Sequence, residues 1–158
     1  MPRIDVKDVA EVVGSSYPSP FDGPCQTRRT RRLGIAGGLT QFGVNFVTLP
    51  PGAWSSQRHW HAKEDEFVYV VSGELTLVED DGETALGPGD CAAWKAGVEN
   101  GHHLINNSAA DAVFVAIGTR DDADWGVYAD IDMRFEPSRY DPAGGPGGGF
   151  THKDGTPY

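Results

Sequence analysis

The spacing of two histidines and a glutamate limits what this chain can fold into more than any other feature. Arg58 to Gly73 reads Arg-His-Trp-His-Ala-Lys-Glu-Asp-Glu-Phe-Val-Tyr-Val-Val-Ser-Gly. Strand-forming residues on both sides place His59 and His61 two apart on one strand. Side chains alternate faces along a strand, so both imidazoles turn to one side and Arg58 and Trp60 to the other. Glu66 follows after the polar segment Ala62 to Asp65. A turn there would lay a second strand beside the first and aim the Glu66 carboxylate at the imidazoles. Two imidazoles and a carboxylate converging from paired strands form a facial metal-ligand set.

The rest of the chain reads as an all-β frame for that set. A single domain of 158 residues carries 21 glycines and 11 prolines between short apolar runs, which favours turn-dense β structure over helices. Leu39 to Leu49 predicts a strand closed by Pro50-Pro51-Gly52. Gln41, Gly43 and Asn45 share one face of it, and Phe42, Val44 and Phe46 the other. With the polar set inward, Gln41 and Asn45 line a pocket; a strand edge or a dimer surface explains them about as well. Further strands are expected over Glu66 to Ser72, Glu74 to Glu79, Thr84 to Leu86, Cys91 to Trp94, His102 to Asn106 and Ala112 to Gly118. Asp80-Asp81-Gly82-Glu83 reads as a hairpin turn. Asp121, Asp122, Asp124 and Asp130 read as a solvated connection, and Ile131 to Phe135 as a final edge strand. Residues 1 to 14 fit either a short helix ended by Gly14 or an extended arm, and Ser15 to Pro24 a wrapping coil.

Gly52, His59, His61, Glu66 and Gly73 resemble the first motif of the cupins, and Gly89, Gly97, His102 and Asn106 the second. Lys95 stands where proline is usual, and the interval from Gly97 to His102 is two residues longer than usual. The Arg-His-Trp-His core and the closing Thr-His-Lys-Asp-Gly-Thr-Pro-Tyr also resemble a group of small single-domain cupins. The resemblance implies an all-β double-stranded β-helix, or jelly-roll barrel, over residues 39–118. An N-terminal arm (1–38) packs on it, followed by an extension (119–141) and a Gly-rich linker and tail (142–158). It further implies one divalent metal ion held by His59, His61, Glu66 and His102, with His103 turned outward. Iron, manganese, nickel, cobalt and zinc all accept such mixed ligation. Barrels of this resemblance often pair through edge strands, so a homodimer is expected, built from the arm and the Ile131 to Phe135 segment.

A formal charge of −10 opposes nucleic-acid binding, which needs a basic surface, and disfavours anionic membranes. No apolar run approaches the roughly 18 residues of a spanning helix, and the N-terminus lacks an apolar signal core, so a cytoplasmic protein is expected. Cys25 and Cys91 are expected as reduced thiols. Arg28, Arg29, Arg31 and Arg32 read either as a solvated strand paired with acids or as an anion-binding patch. The function expected is a small metalloenzyme, of isomerase, lyase or dioxygenase type, acting on a small oxygenated molecule such as a sugar or hydroxy acid. The alternative is a non-catalytic ligand-binding or sensing cupin. Glu64 and Tyr69 are nearby titratable groups, with Tyr69 facing away from Glu66. In the tail, Phe150, His152 and Tyr158 dock on the barrel or on a partner, with His152 at the surface.

Overall fold

The computed structural model describes residues 3–138 and 149–158. Among them, thirteen antiparallel strands form three sheets that build a jelly-roll barrel. The largest contains β1 (Glu11–Val13), β2 (Arg29–Arg32), β3 (Phe42–Leu49), β5 (Glu66–Ser72), β8 (Cys91–Trp94) and β10 (Ala112–Thr119), in the order β1-β2-β3-β10-β5-β8. The second contains β4 (His59–His61), β11 (Gly126–Tyr128), β12 (Arg134–Phe135) and β13 (Phe150–Thr151), in the order β13-β12-β11-β4. The third is β7 (Gly82–Leu86), β6 (Leu75–Glu79) and β9 (His103–Ile105).

Alternation decides which residues fill the barrel. On β5, Val68 and Val70 are buried, whereas Phe67, Tyr69 and Val71 face outward and are exposed. On β3, Val47 and Leu49 are buried on the face that also carries Gly43 and Asn45. These side chains pack with Leu75, Leu77, Leu86, Leu104 and Phe114 into one core. Each large apolar side chain fully buried there contributes roughly 1.5–3 kcal/mol. Gly73 ends β5 with a φ of 78°. A Cβ there would lie 2.6 Å from the Ala112 Cα, so glycine alone fits the bend into the third sheet.

A second cluster closes the other side. Tyr128, Met133 and Phe135 pack with Tyr17, Phe21, Ile131, Phe150 and Tyr158, so the tail docks on its own chain. His152 sits at the surface, with Nδ1 3.0 Å from Asp132.

Some expectations need correction and others stand. Residues 3–14 hold one 3-10 turn, Val6–Asp8, leading into β1 rather than an α-helix. The strand expected from Leu39 starts at Phe42, and β2 lies beside it. Ile131 to Phe135 is no edge: the strand is Arg134–Phe135, paired with β11 on one side and β13 on the other. The Pro142 to Gly149 linker lies, apart from Gly149, outside the described residues. Arg29 pairs with Asp111 and Arg31 with Glu11, which accounts for half of the arginine cluster. Cys25 is buried and Cys91 exposed, both free thiols.

Candidate metal centre

β4 and β5 are not neighbours, contrary to the paired-strand expectation. β4 pairs with β11, placing His59 opposite Tyr128 and His61 opposite Gly126, while β5 lies in the six-stranded sheet. Glu66 therefore meets the histidines across the barrel lumen. A potential ligand atom from each of His59, His61 and Glu66 lies within 4.8 Å of the other two. His59 Nε2 is 3.1 Å from His61 Nε2, and Glu66 Oε2 is 3.6 Å from His61 Nε2 and 3.2 Å from His102 Nε2. His102 lies just before β9, held by a bridge to His59 in which each backbone N–H donates to the other's carbonyl.

The far nitrogen of each ring is occupied. His59 Nδ1 donates to the Gln57 carbonyl at 2.9 Å, and His61 Nδ1 to Asp124 Oδ2 at 2.8 Å. His102 Nδ1 faces the Asn100 carbonyl at 3.4 Å. With the Nδ1 positions donating, the Nε2 atoms of His59 and His61 present lone pairs to the same point. Lone pairs 3.1 Å apart repel unless a cation sits between them, so the donor set fits a divalent ion. The electrostatics agree. Burial and the adjacent His61 and His102 rings hold the His59 imidazolium well below the ordinary histidine range, which keeps it neutral. Burial alone would raise the Glu66 carboxyl, but the group is held well below the usual carboxylate range, foremost by the hydrogen bond with His102.

Asp124 was read from sequence as part of a solvated connection and is instead fully buried. Its second oxygen accepts from the Lys63 backbone N–H at 2.8 Å. Buried Glu64 stands 3.9 Å from His61 Nδ1 and accepts from the Asp121 N–H. His61, Glu64 and Asp124 form a second cluster of possible ligands, but Asp124 is already engaged by two donors and serves better to orient His61. No local signal marks this role, because the pairing of β4 with β11 joins segments far apart in sequence.

His103 turns outward, as alternation expects, and is buried there. Its ring packs edge-on against Trp54, and Nδ1 lies 2.9 Å from the Ser56 carbonyl, away from the other three histidines. Trp94 stacks flat on His102 at 3.8 Å. The cluster opens on a cavity of ≈ 460 Å³ whose wall includes Asn45, Trp94, Phe114, Tyr128 and Phe135. Gln41, the other pocket candidate, is exposed and outside this lining.

A barrel that gathers three histidines and a glutamate inside its lumen defines a class, and the comparisons agree. Residues 45–118 match the family model described as the cupin domain, and the chain belongs to the cupin superfamily. It is similar to a sugar phosphate isomerase of the cupin superfamily from Silicibacter pomeroyi, at 43% identity and a TM-score of 0.89, covering 99% of this chain and 96% of that one. A candidate sugar phosphate isomerase from Acidithiobacillus ferrooxidans is 31% identical over 70% of each chain, with a TM-score of 0.67. The polyketide cyclase RemF from Streptomyces resistomycificus shares the fold, at 22% identity and a TM-score of 0.60 over 77% of this chain and 80% of that one. No curated protein matches the chain by sequence. No helix among the described residues is long and apolar enough to cross a membrane.

Proposed function

We propose that this chain is a divalent-metal-dependent isomerase of a small phosphorylated sugar, with His59, His61, Glu66 and His102 holding the ion. The observation that carries this is the meeting of His59 Nε2, His61 Nε2 and Glu66 Oε2 in one cluster on a cavity wall, with His102 Nε2 3.2 Å from Glu66 Oε2. The names of the Silicibacter and Acidithiobacillus relatives support the substrate class. When bound, a divalent ion supplies Lewis acidity to a carbonyl or hydroxyl oxygen. The chain's own residues do the rest. Asp124 fixes the His61 ring and its tautomer, Trp94 fixes the plane of His102, and Phe114 and Phe135 supply apolar wall beside them. The Asn45 amide offers a donor and an acceptor for sugar hydroxyls.

The test is metal analysis together with proton NMR of aldose and ketose phosphates in deuterated water. About one divalent ion per chain is expected, with deuterium exchange at the carbon beside the carbonyl. Glu66→Gln should lose both ion and exchange. A metal-loaded parent that binds these sugars yet exchanges no proton would favour the ligand-binding alternative and overturn the isomerase.

A further inference from the structure

The arginine cluster read from sequence divides by strand parity. Arg29 and Arg31 point to the outer face of β2, where acids meet them. Arg32 points the other way: it pairs in register with Asn45, and the row continues across the sheet through Ala116 and Val68 to Ala92. That row faces the lumen, because Val68 is buried in the core. The next lumen-facing row is Gly43, Gly118, Glu66 and Trp94. It carries a candidate metal ligand at one end and two residues without side chains at the other.

The space left by those glycines is filled from outside the row. Arg120 follows β10, donates its backbone N–H to the Gln41 carbonyl and lays its guanidinium over Gly43. A Cβ on Gly43 would stand 3.7 Å from both Nε and Nη2 of Arg120. Arg32, Asn45, Gly43 and Arg120 all line the cavity that holds His59, His61 and Glu66. Arg32 thus stands opposite Asn45 and the Arg120 guanidinium over Gly43, where its Nη1 also donates to the Leu39 carbonyl at 3.4 Å, both lining the cavity of a chain whose net charge is −10. Among the described residues, no ion pair holds Arg32. From β5 through β10 and β3 to β2 is three strand spacings, about 14 Å of curved sheet. An arginine arm and a small sugar together cover that distance.

We infer that Arg32 and Arg120, with the Asn45 amide, form a subsite for a phosphoryl dianion at the opposite end of the substrate from the metal ligands. This rests on the isomerase reading for its substrate and adds the part of the site that tells a phosphorylated sugar from a plain one. Guanidinium is the side chain suited to this task, since its planar fork matches phosphate oxygens two at a time.

The experiment is isothermal titration of the metal-loaded protein with inorganic phosphate, with melting temperature and metal content measured on every variant. Arg32→Gln and Arg120→Gln should each weaken phosphate binding on the order of tenfold, and the pair together abolish it, with metal content unchanged. Arg29→Gln, on the outer face of the same strand, should bind phosphate like the parent. Arg32 is exposed, so its variant tests the subsite even if Arg120→Gln folds poorly. Parental affinity in Arg32→Gln would overturn the subsite. So would a parent that binds no phosphate, or one that binds acetate equally well. Phosphate binding that vanishes in His59→Ala but survives in both arginine variants would place the anion on the metal and overturn it too. The two readings separate cleanly. Phosphate binding without proton exchange sinks the isomerase and keeps the subsite, while exchange that survives in both arginine variants does the reverse.

Discussion

Asp124→Asn removes one formal charge and changes almost no volume, yet it should damage the metal site and the fold together. Each Asp124 oxygen accepts a hydrogen bond at 2.8 Å, one from His61 Nδ1 and the other from the Lys63 backbone N–H. An amide has one acceptor oxygen, so asparagine can satisfy only one donor and must turn its own N–H bonds against the other. Asp124 has no exposed surface, so the unsatisfied donor costs roughly 1–3 kcal/mol. For a chain of this size that lowers the melting temperature roughly 2–4 °C per kcal/mol. The second effect runs through His61. Losing the carboxylate that sets a ligating ring's tautomer typically costs 10–100-fold in metal affinity, or about 1.4–2.7 kcal/mol. Competition against a chromophoric chelator measures the affinity, and calorimetry of the stripped protein measures the fold. Asp124→Asn with a lowered melting temperature and parental metal affinity would refute the orienting role, leaving Asp124 a purely structural acid.

Gly126→Ala should be far worse than an ordinary surface change. Its Cβ would stand 2.1 Å from the Trp60 carbonyl and 2.3 Å from the Phe135 ring, so β4 must shift. Thermal unfolding should show a loss of roughly 3 kcal/mol or more, with metal content falling alongside. Asp130→Asn tests an ion pair by pH. The Arg58 hydrogen bond holds the Asp130 carboxyl below the usual range against the opposing effect of burial. A depressed folded pKa contributes stability above the unfolded value near 3.9 and loses it as pH falls through the folded one. Parent and variant should therefore differ by up to about 1 kcal/mol in urea at pH 6, since Asp130 is mostly exposed, and converge toward pH 3. A gap that widens on acidification would contradict the pairing. Finally, burial pushes the Cys25 thiol up to about 11, whereas Cys91 is exposed. Ellman's reagent should titrate one thiol rapidly in the native protein and the second only on unfolding.

Parity served the sequence reading well and distance served it badly. The inward faces of β3 and β5 follow from alternation alone, which is why Asn45 reached the cavity wall and Tyr69 did not. The same rule failed for Gln41, because the strand starts at Phe42 and alternation has no meaning before it. Partners far apart in sequence were illegible. Nothing local says that Gly126 to Tyr128 pairs with His59 to His61, so Asp124 was grouped with the surrounding acids rather than placed behind His61. The aromatic cluster of Tyr17, Phe21, Phe150 and Tyr158 joins residues near both ends of the chain, a contact that composition cannot show. His103 turns outward as alternation expects, yet it is buried. Pointing away from the lumen does not mean pointing at water where Trp54 covers the outer face.

Arg58, on the far side of β4 from the histidines, grips three segments at once. It donates to Asp130 just beyond β11, to Asp80 in the turn between β6 and β7, and to the Gly101 carbonyl next to His102. The strand bearing His59 and His61 is therefore tied from outside to the segment bearing His102. A candidate ligand cage braced in this way would pay its ordering entropy when the chain folds, not when an ion arrives. Bracing also limits how far it can dilate. If His59, His61, Glu66 and His102 hold an ion, a cation that wants six to eight oxygens at 2.3–2.6 Å, as calcium does, would find only one carboxylate there, whereas a smaller transition ion would meet nitrogen ligands already in place. The clamp would then act as a size filter that never touches the ion.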